Sequence, residues 1–317
     1  MAENGMIILP RSHPILEKAV KHQLELAQEV QKQDPNLDSK EKKKLGSVAM
    51  TFFDFENSSW KVSLNPRKST TMTISLNLPC YDQISKVGVE DVLKKKFSNL
   101  LTDTEEGYSV SLAVDVMSPG QPIDTITSTI ASLKETILAA PFIEYFNGVL
   151  TKSPKTEVFS FDLRPDTRIY LIPGSERVTV TMRLSLQDPV DLEVASIFLK
   201  DYKDVQRRKA ASAPPAHFSL NPPEELSGEE KGGLGFISFS IQKIHLTDMQ
   251  ATTAALINFR SFLQYHLKCS KAFFHSRMRK KVKEFLKVLN RAKTDYSGET
   301  KKKIKKTASG RTFKKRF

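Results

Sequence analysis

The sequence predicts an α+β fold: two similar domains, each an antiparallel sheet with flanking helices, followed by one long C-terminal helix. Three observations lead there. The order strand, strand, strand, helix, strand, helix runs twice along the 317 residues. The strand runs alternate apolar with polar side chains, as half-buried strands do. From about Asp248 no Pro or Gly interrupts the chain until Gly298, while apolar residues return every three or four positions. With 39% apolar and 27% charged residues the composition is globular.

The elements follow in order. Ile15, Leu16, Ala19, Val20, Leu24, Leu26, Ala27 and Val30 mark an amphipathic helix, and a polar linker from Gln31 to Lys44 ends it. Strand runs follow at 47–55, 59–64 and 70–78, the last with Met72, Ile74, Leu76 and Leu78 alternating with Thr and Asn. A helix is expected over 88–100, a strand over 107–116 and a helix over 123–140. The second round has strands at 157–163, 168–172 and 177–186, a helix at 189–209 and a strand at 236–244. A Pro-rich loop at 213–223 and an acidic, Gly-rich loop at 224–235 precede that last strand. The halves share element order and no matching residues. The expected organisation is a first α/β domain at 1–150, a second at 151–246, a long helix at 247–293 and a basic flexible tail at 294–317.

The final helix is unlike the others. Leu256, Phe259, Leu263, Leu267, Ser270, Phe274, Met278, Val282, Phe285 and Leu289 form one stripe, with Phe262, Tyr265 and Phe273 on a flank. A helix of this length would run about 66 Å, twice the roughly 30 Å of a small domain. Large aromatics left in water are costly, at about 25 cal/mol per Å². The stripe therefore implies a partner subunit, the alternative being a helix folded back across its own chain.

Charge singles out the same region. From Asn258 to Phe317 there are twenty Lys or Arg and three acids, a net +17, whereas the whole chain is +13; the first 257 residues thus carry −4. One terminal element attracts a polyanion: nucleic acid, acidic lipid or an acidic protein polymer. Catalytic chemistry finds no support. His266 and Cys269 share a helical face but are two ligands where structural zinc wants four. Asp54 and Glu56 at a strand end are weak candidates for paired acid-base work. Gly232, Gly233 and Gly235 precede a strand, whereas phosphate-cradling loops follow one. No metal, cofactor or enzyme activity is expected. Cys80 and Cys269 read as reduced, buried thiols of a cytosolic protein. Met1 to Pro10 lacks the pattern of a secretory signal, and no run approaches the ~18 apolar residues of a membrane span.

The helix is also where a resemblance becomes legible. The run Tyr265-His266-Leu267-Lys268-Cys269-Ser270-Lys271-Ala272-Phe273-Phe274-His275-Ser276-Arg277-Met278-Arg279, followed by Phe285-Leu286-Lys287-Val288-Leu289-Asn290-Arg291-Ala292, closely resembles the C-terminal helix of the subunit 2 family of the actin-related protein 2/3 complex. Met6-Ile7-Ile8-Leu9, Asp54-Phe55-Glu56, Gly107 to Leu112, Arg177 to Val180, Phe198 to Tyr202, Arg207-Arg208, Ala213-Pro214 and Pro222 to Leu226 continue the likeness in order. Two places depart from the family's pattern: the loop at 241–247 is shorter, and the tail after Lys293 is richer in lysine.

The resemblance implies a non-enzymatic scaffold subunit of a seven-subunit assembly that nucleates branched actin. It implies a helix-helix heterodimer with subunit 4, further contacts with the other subunits including the two actin-related proteins, and a basic outer surface on the side of the mother filament. It places the protein in the cytoplasm and cytoskeleton, at cortical actin and cell projections, without integral membrane association. On that basis the candidate filament contacts are Arg177, Lys268, Arg277, Arg279, Lys280, Lys287, Arg291 and Lys293. The candidate partner-facing set is Phe259, Leu263, Leu267, Phe274, Met278, Val282, Phe285 and Leu289. The rival reading, a basic-helix nucleic-acid-binding protein, predicts a steep salt slope and leaves the apolar stripe unexplained. A lipid-surface reading needs that apolar face free.

Overall fold

The computed structural model describes residues 12–33, 45–54, 57–185, 188–198, 214–226, 228 and 234–292, with short strands at 305–306 and 312–313. The chain divides into a large unit up to Leu267 and a small one from Lys268 onward. The large unit holds two five-stranded antiparallel sheets.

The first sheet is built from β1 (Val48–Phe53), β2 (Ser59–Leu64), β3 (Thr71–Asn77), β4 (Leu101–Thr102) and β5 (Val110–Asp115), in spatial order β1-β2-β3-β5-β4. Its inner face follows the alternation: Trp60, Val62 and Leu64 on β2, then Met72, Ile74 and Leu76 on β3, opposite Val114, Leu112 and Val110. The second sheet repeats the plan with β6 (Phe159–Arg164), β7 (Thr167–Pro173), β8 (Arg177–Ser185), β9 (Ala216–Ser219) and β10 (Leu234–Gln242), in order β6-β7-β8-β10-β9. Val178, Val180 and Met182 face Ile241, Phe239 and Ile237 across the β8–β10 pair. In both sheets the fifth strand pairs with the third and pushes the fourth to the edge.

Helices cover these faces. The stripe Leu16, Val20, Leu24 and Ala27 of α1 (Pro14–Gln33) is buried. The short α2 (Tyr81–Ile84) passes through a π-type turn, Ser85–Val89, into α3 (Glu90–Phe97). Gly88 sits in that turn at φ +72°, a left-handed conformation that favours glycine. Where one helix over 123–140 was expected, α4 (Ile123–Ala131) breaks at Ser132 and α5 (Leu133–Leu150) continues. Ser132 Oγ donates to the Thr129 carbonyl at 2.7 Å at this break. The α5 helix is the hinge pin of the core: Ile137, Leu138, Phe142 and Phe146 are buried, and Phe142 meets Phe161 of β6 edge-on at 6.2 Å. One continuous apolar core thus runs through both sheets. A helix at 189–198 (α6) corresponds to the start of the one expected at 189–209; residues 199–209 lie outside the described part.

Two strands of the large unit escape the sequence reading, as do the short strands at 305–306 and 312–313, which fall in the stretch expected to be a flexible tail. The two-residue β4 is too short to show alternation, and β9 lies inside the stretch assigned to a Pro-rich loop. Both are edge strands, where one neighbour suffices and sequence signals are weakest. No described helix is long and apolar enough to cross a membrane.

After β10 a single turn, Lys243–Leu246, leads into α7 (Met249–Ala292), 44 residues without a break. Asp248 caps it as expected, its Oδ1 accepting from the Ala251 N–H at 2.9 Å. Thr252 Oγ1 donates to the His245 carbonyl at 2.6 Å, fixing how the helix leaves the sheet.

Candidate functional site

Helix α7 contributes residues to both units, and its two stretches have opposite surroundings. Up to Leu267 it is a core helix. Thr253, Ala254, Leu256, Ile257, Phe259, Leu263 and Leu267 are buried, and Phe259 packs edge-on against Phe239 of β10 at 4.8 Å. Arg260 pins the stretch down: buried itself, it donates from Nε to Thr167 Oγ1 at 3.0 Å and pairs with Asp166 and Gln264. His266 lies among aromatics, stacked on Phe198 at 5.4 Å with Phe262 at 4.3 Å and Tyr265 at 5.6 Å. Burial lowers its pKa below the usual histidine value, because a charged ring there would lose its water.

From Lys268 the side chains turn out to solvent. Phe274, Met278, Val282, Phe285 and Leu289 are each between 43% and 64% exposed. They are spaced by four, four, three and four residues, so they form one row on the helix. Phe273, Leu286 and Val288 widen it and are equally exposed. Exposed apolar rows on a helix surface are a common feature of interaction sites. Burying such residues contributes about 1.5–3 kcal/mol per side chain.

The cations of this stretch sort by helical phase. At about 100° per residue, Lys280, Lys287 and Arg291 fall within about 40° of one another and roughly opposite the apolar row. Lys268, Arg277 and Arg279 flank the row, and Arg277 lies over the Phe273 ring at 5.0 Å. Lys283 joins the back of the helix, a position that spacing alone could have assigned. Between 268 and 292 nine Lys or Arg face one acid, Glu284. Four of the nine, Lys280, Lys283, Lys287 and Arg291, lie on the side away from the apolar row and make the field there positive, while by phase Lys271 falls within the row and Lys281 beside it.

Set against the residues expected from sequence, the partner-facing set divides. Phe259, Leu263 and Leu267 belong to this chain's own core and are only 2–7% exposed, so they are removed from any partner surface. The other five remain available. Leu286 and Val288, absent from the expected set, belong with them; they lie off the strict stripe, which hid them. Among the expected filament contacts, Arg177 is exposed at the start of β8, in the large unit. Lys268, Arg277, Arg279, Lys280, Lys287 and Arg291 are exposed on α7. Lys293 lies outside the described residues.

The weaker candidates also resolve. Asp54 is engaged with Lys134 at 2.7 Å, each side chain 12% exposed, which is a structural pair; Glu56 lies outside the described residues. Cys80 is buried, and burial pushes its thiol up to about 11, so it is an inert thiol at neutral pH. Cys269, expected to be buried, is exposed, because it follows the last core position of α7. Among the described residues no three His, Cys, Asp or Glu side chains cluster as a metal site.

The profile of the family described as "Arp2/3 complex, 34 kD subunit p34-Arc" matches residues 74–296. A protein of Dictyostelium discoideum named actin-related protein 2/3 complex subunit 2 is 31% identical over 270 residues, covering 83% of this chain and 90% of its own. Its namesake in Schizosaccharomyces pombe is 30% identical over 295 residues, covering 84% and 91%. The exposed stripe and basic back of α7 lie within the matched span. The chain belongs to the p34-Arc family of Arp2/3 complex subunits.

Proposed function

We propose that this chain is a structural, actin-filament-binding subunit of the Arp2/3 complex, supporting nucleation and branching by holding the side of the mother filament. In this reading the row Phe274, Met278, Val282, Phe285 and Leu289 seats against a helix of subunit 4. The cations on the opposite side, Lys280, Lys287 and Arg291 with Arg279 beside them, meet acidic patches on actin. Arg177 adds a further positive contact from the sheet. The protein works as a scaffold, not an enzyme, in the cytoplasmic actin cytoskeleton and at the cortex and cell projections.

One observation carries the reading: the stretch 268–292 presents an exposed apolar row and, roughly opposite it, a row of cations. An apolar row asks for a close-packed partner, and a cationic back asks for a polyanion. A rigid helix that satisfies both at once suits an assembly seated on a polymer. Both relatives are named as subunits of that complex, and the family match supports the same assembly.

The test is the triple charge reversal Arg279→Glu, Lys280→Glu and Lys287→Glu in the assembled complex. Filament co-sedimentation should weaken by more than about tenfold and lose much of its salt sensitivity, while subunit stoichiometry is retained. Unchanged co-sedimentation would remove the basic back of α7 from the filament contact.

A further inference from the structure

We propose that the free edge of β1 is a docking site for an extended segment of a partner protein, which joins the first sheet as a further strand and brings an Asp or Glu side chain to Lys68. This goes beyond the function proposed above and does not rest on it.

The four sheet edges differ in how they are closed. Strand β4 has two residues and β9 has four, with Pro214 and Pro215 just before it. Strand β6 has a register shift between Asp162 and Arg164, and its Asp162 N–H donates to Gln83 Oε1 of α2 at 2.7 Å. Short length, proline, a bulge and a covering side chain are the ways in which natural sheets blunt their edges. Strand β1 has none of them. Its six residues include no Pro, Gly or charge, and they pair with β2 in unbroken register.

The register also tells which groups of β1 are open. The Asp54 N–H donates to the Ser58 carbonyl at 2.9 Å, so 54 and 58 are a hydrogen-bonded pair. Such pairs recur at every second residue of an antiparallel ladder, and Phe52, Met50 and Val48 therefore turn their N–H and C=O toward β2. Ala49, Thr51 and Phe53 turn theirs to the free edge, where no described residue bonds them. The same three side chains are exposed, and Phe53, at 73%, is the most exposed large apolar side chain among the described residues. On the inner face Val48, Met50 and Phe52 are only half-buried, so the core ends there without a last neighbour.

These features define the occupant. Open backbone groups in a row call for an extended segment, whose main chain supplies the hydrogen bonds. The half-buried inner face calls for an apolar residue at every second position of that segment. Charge supplies the rest. A cavity of about 350 Å³ opens beside the start of β1, and Ser47, Ser63, Lys68, Ser69 and Thr73 are among its lining. Lys68 is the one charged residue among the described lining, and it makes no ion pair with a described residue. A carboxylate complements it. Every pair in this sheet is antiparallel, so a guest that continues the pattern carries its acid at the C-terminal end of its strand. A second copy of β1 also runs into an acid, Asp54, but that carboxylate is engaged with Lys134 and only 12% exposed. The occupant is therefore a different chain.

The experiment is hydrogen exchange of the full chain with and without the peptide acetyl-Val-Val-Thr-Val-Thr-Val-Asp-amide. In the chain alone the amides of Ala49, Thr51 and Phe53 should exchange fast while those of Met50 and Phe52 are protected. Saturating peptide should slow the three by more than about tenfold. Thr51→Pro removes an outward N–H and spares the bonds to β2; it should weaken peptide binding by more than about tenfold with Met50 and Phe52 still protected. Lys68→Glu should weaken it about fivefold, and a peptide ending in Lys instead of Asp should recover that loss. The α7 triple reversal described above should leave peptide binding unchanged, so the two ideas fail separately. No binding of the peptide, or equal binding to Thr51→Pro, would overturn the proposal. Amides at 49, 51 and 53 already protected in the chain alone would overturn it in favour of a segment of the same chain. A full-chain dimer that Thr51→Pro dissociates would overturn it in favour of a second copy.

Discussion

The two stretches of α7 repeat one sequence pattern in two environments. Leu256, Phe259, Leu263 and Leu267 step by three or four residues, and so do Phe274, Met278, Val282, Phe285 and Leu289. The first group is buried in its own chain; the second is about half exposed or more. Periodicity reports that a helix face will be covered and is silent about what covers it. The polar residues carry the missing information. In the first stretch Arg260 is the single cation before Lys268, and it reaches back to Asp166 and Thr167 of the β6–β7 turn. In the second, nine cations crowd the helix, and eight apolar side chains remain open.

The largest expected effect tests that difference directly. Leu263→Ala removes a buried side chain and should destabilise the full chain by about 2–5 kcal/mol, read as a lower urea midpoint at unchanged slope. Phe285→Ala, a larger truncation chemically, should shift the same midpoint by no more than about 0.5 kcal/mol. In the assembled complex the order should reverse for association. On the proposed seating against subunit 4, Phe285→Ala should weaken recovery of that subunit there, because aromatic anchors dominate interfaces. If Phe285→Ala unfolds the lone chain as readily as Leu263→Ala, the second stretch is packed on its own protein and the comparison fails.

The next effect concerns the cations. Arg260→Met should cost about 1–3 kcal/mol, since it strips the hydrogen bonds that hold α7 to the β6–β7 turn. The loss stays below that of a fully buried pair because Asp166, at 40% exposure, can regain water. Lys280→Met should leave the urea midpoint of the lone chain within about 0.5 kcal/mol. A matching loss at both positions would mean that Lys280 has a structural partner.

How much of this was legible beforehand follows the same division. The long strands β2, β3, β5, β7 and β8 and the cap at Asp248 were readable, because alternation and capping are local signals. The edge strands β4 and β9 and the break at Ser132 were not: each depends on a neighbour supplied by the tertiary structure. In the candidate site, the apolar row and the basic run were visible as patterns. The loss of Phe259, Leu263 and Leu267 to the core was not, since it depends on where β10 delivers the helix and on Phe239 waiting there. Leu286 and Val288 lie to either side of the strict stripe, where three- and four-residue spacing does not reach.

The smallest effect sharpens the comparison at the last turn of the buried stretch. His266 is enclosed by Phe198, Phe262 and Tyr265, and its Nε2 is buried without a hydrogen-bond partner among the described residues. Burial lowers its folded-state pKa below the ordinary 6.5. Above that value the ring is neutral in both states and adds no pH dependence. As the pH falls below it, the unfolded chain takes up a proton that the folded chain resists, so stability declines until the folded pKa is passed. Burial lowers the His245 pKa too, and its contribution has the same sign. Carboxylates titrate mainly below about pH 5, which leaves the histidines a window between roughly 5 and 6.5. Between those values the urea midpoint of the full chain should fall, and His266→Leu should flatten part of the fall while His245 supplies the rest. A variant that keeps the whole slope would place His266 in contact with water, and with it the boundary between the buried and open stretches of α7 at least one turn earlier.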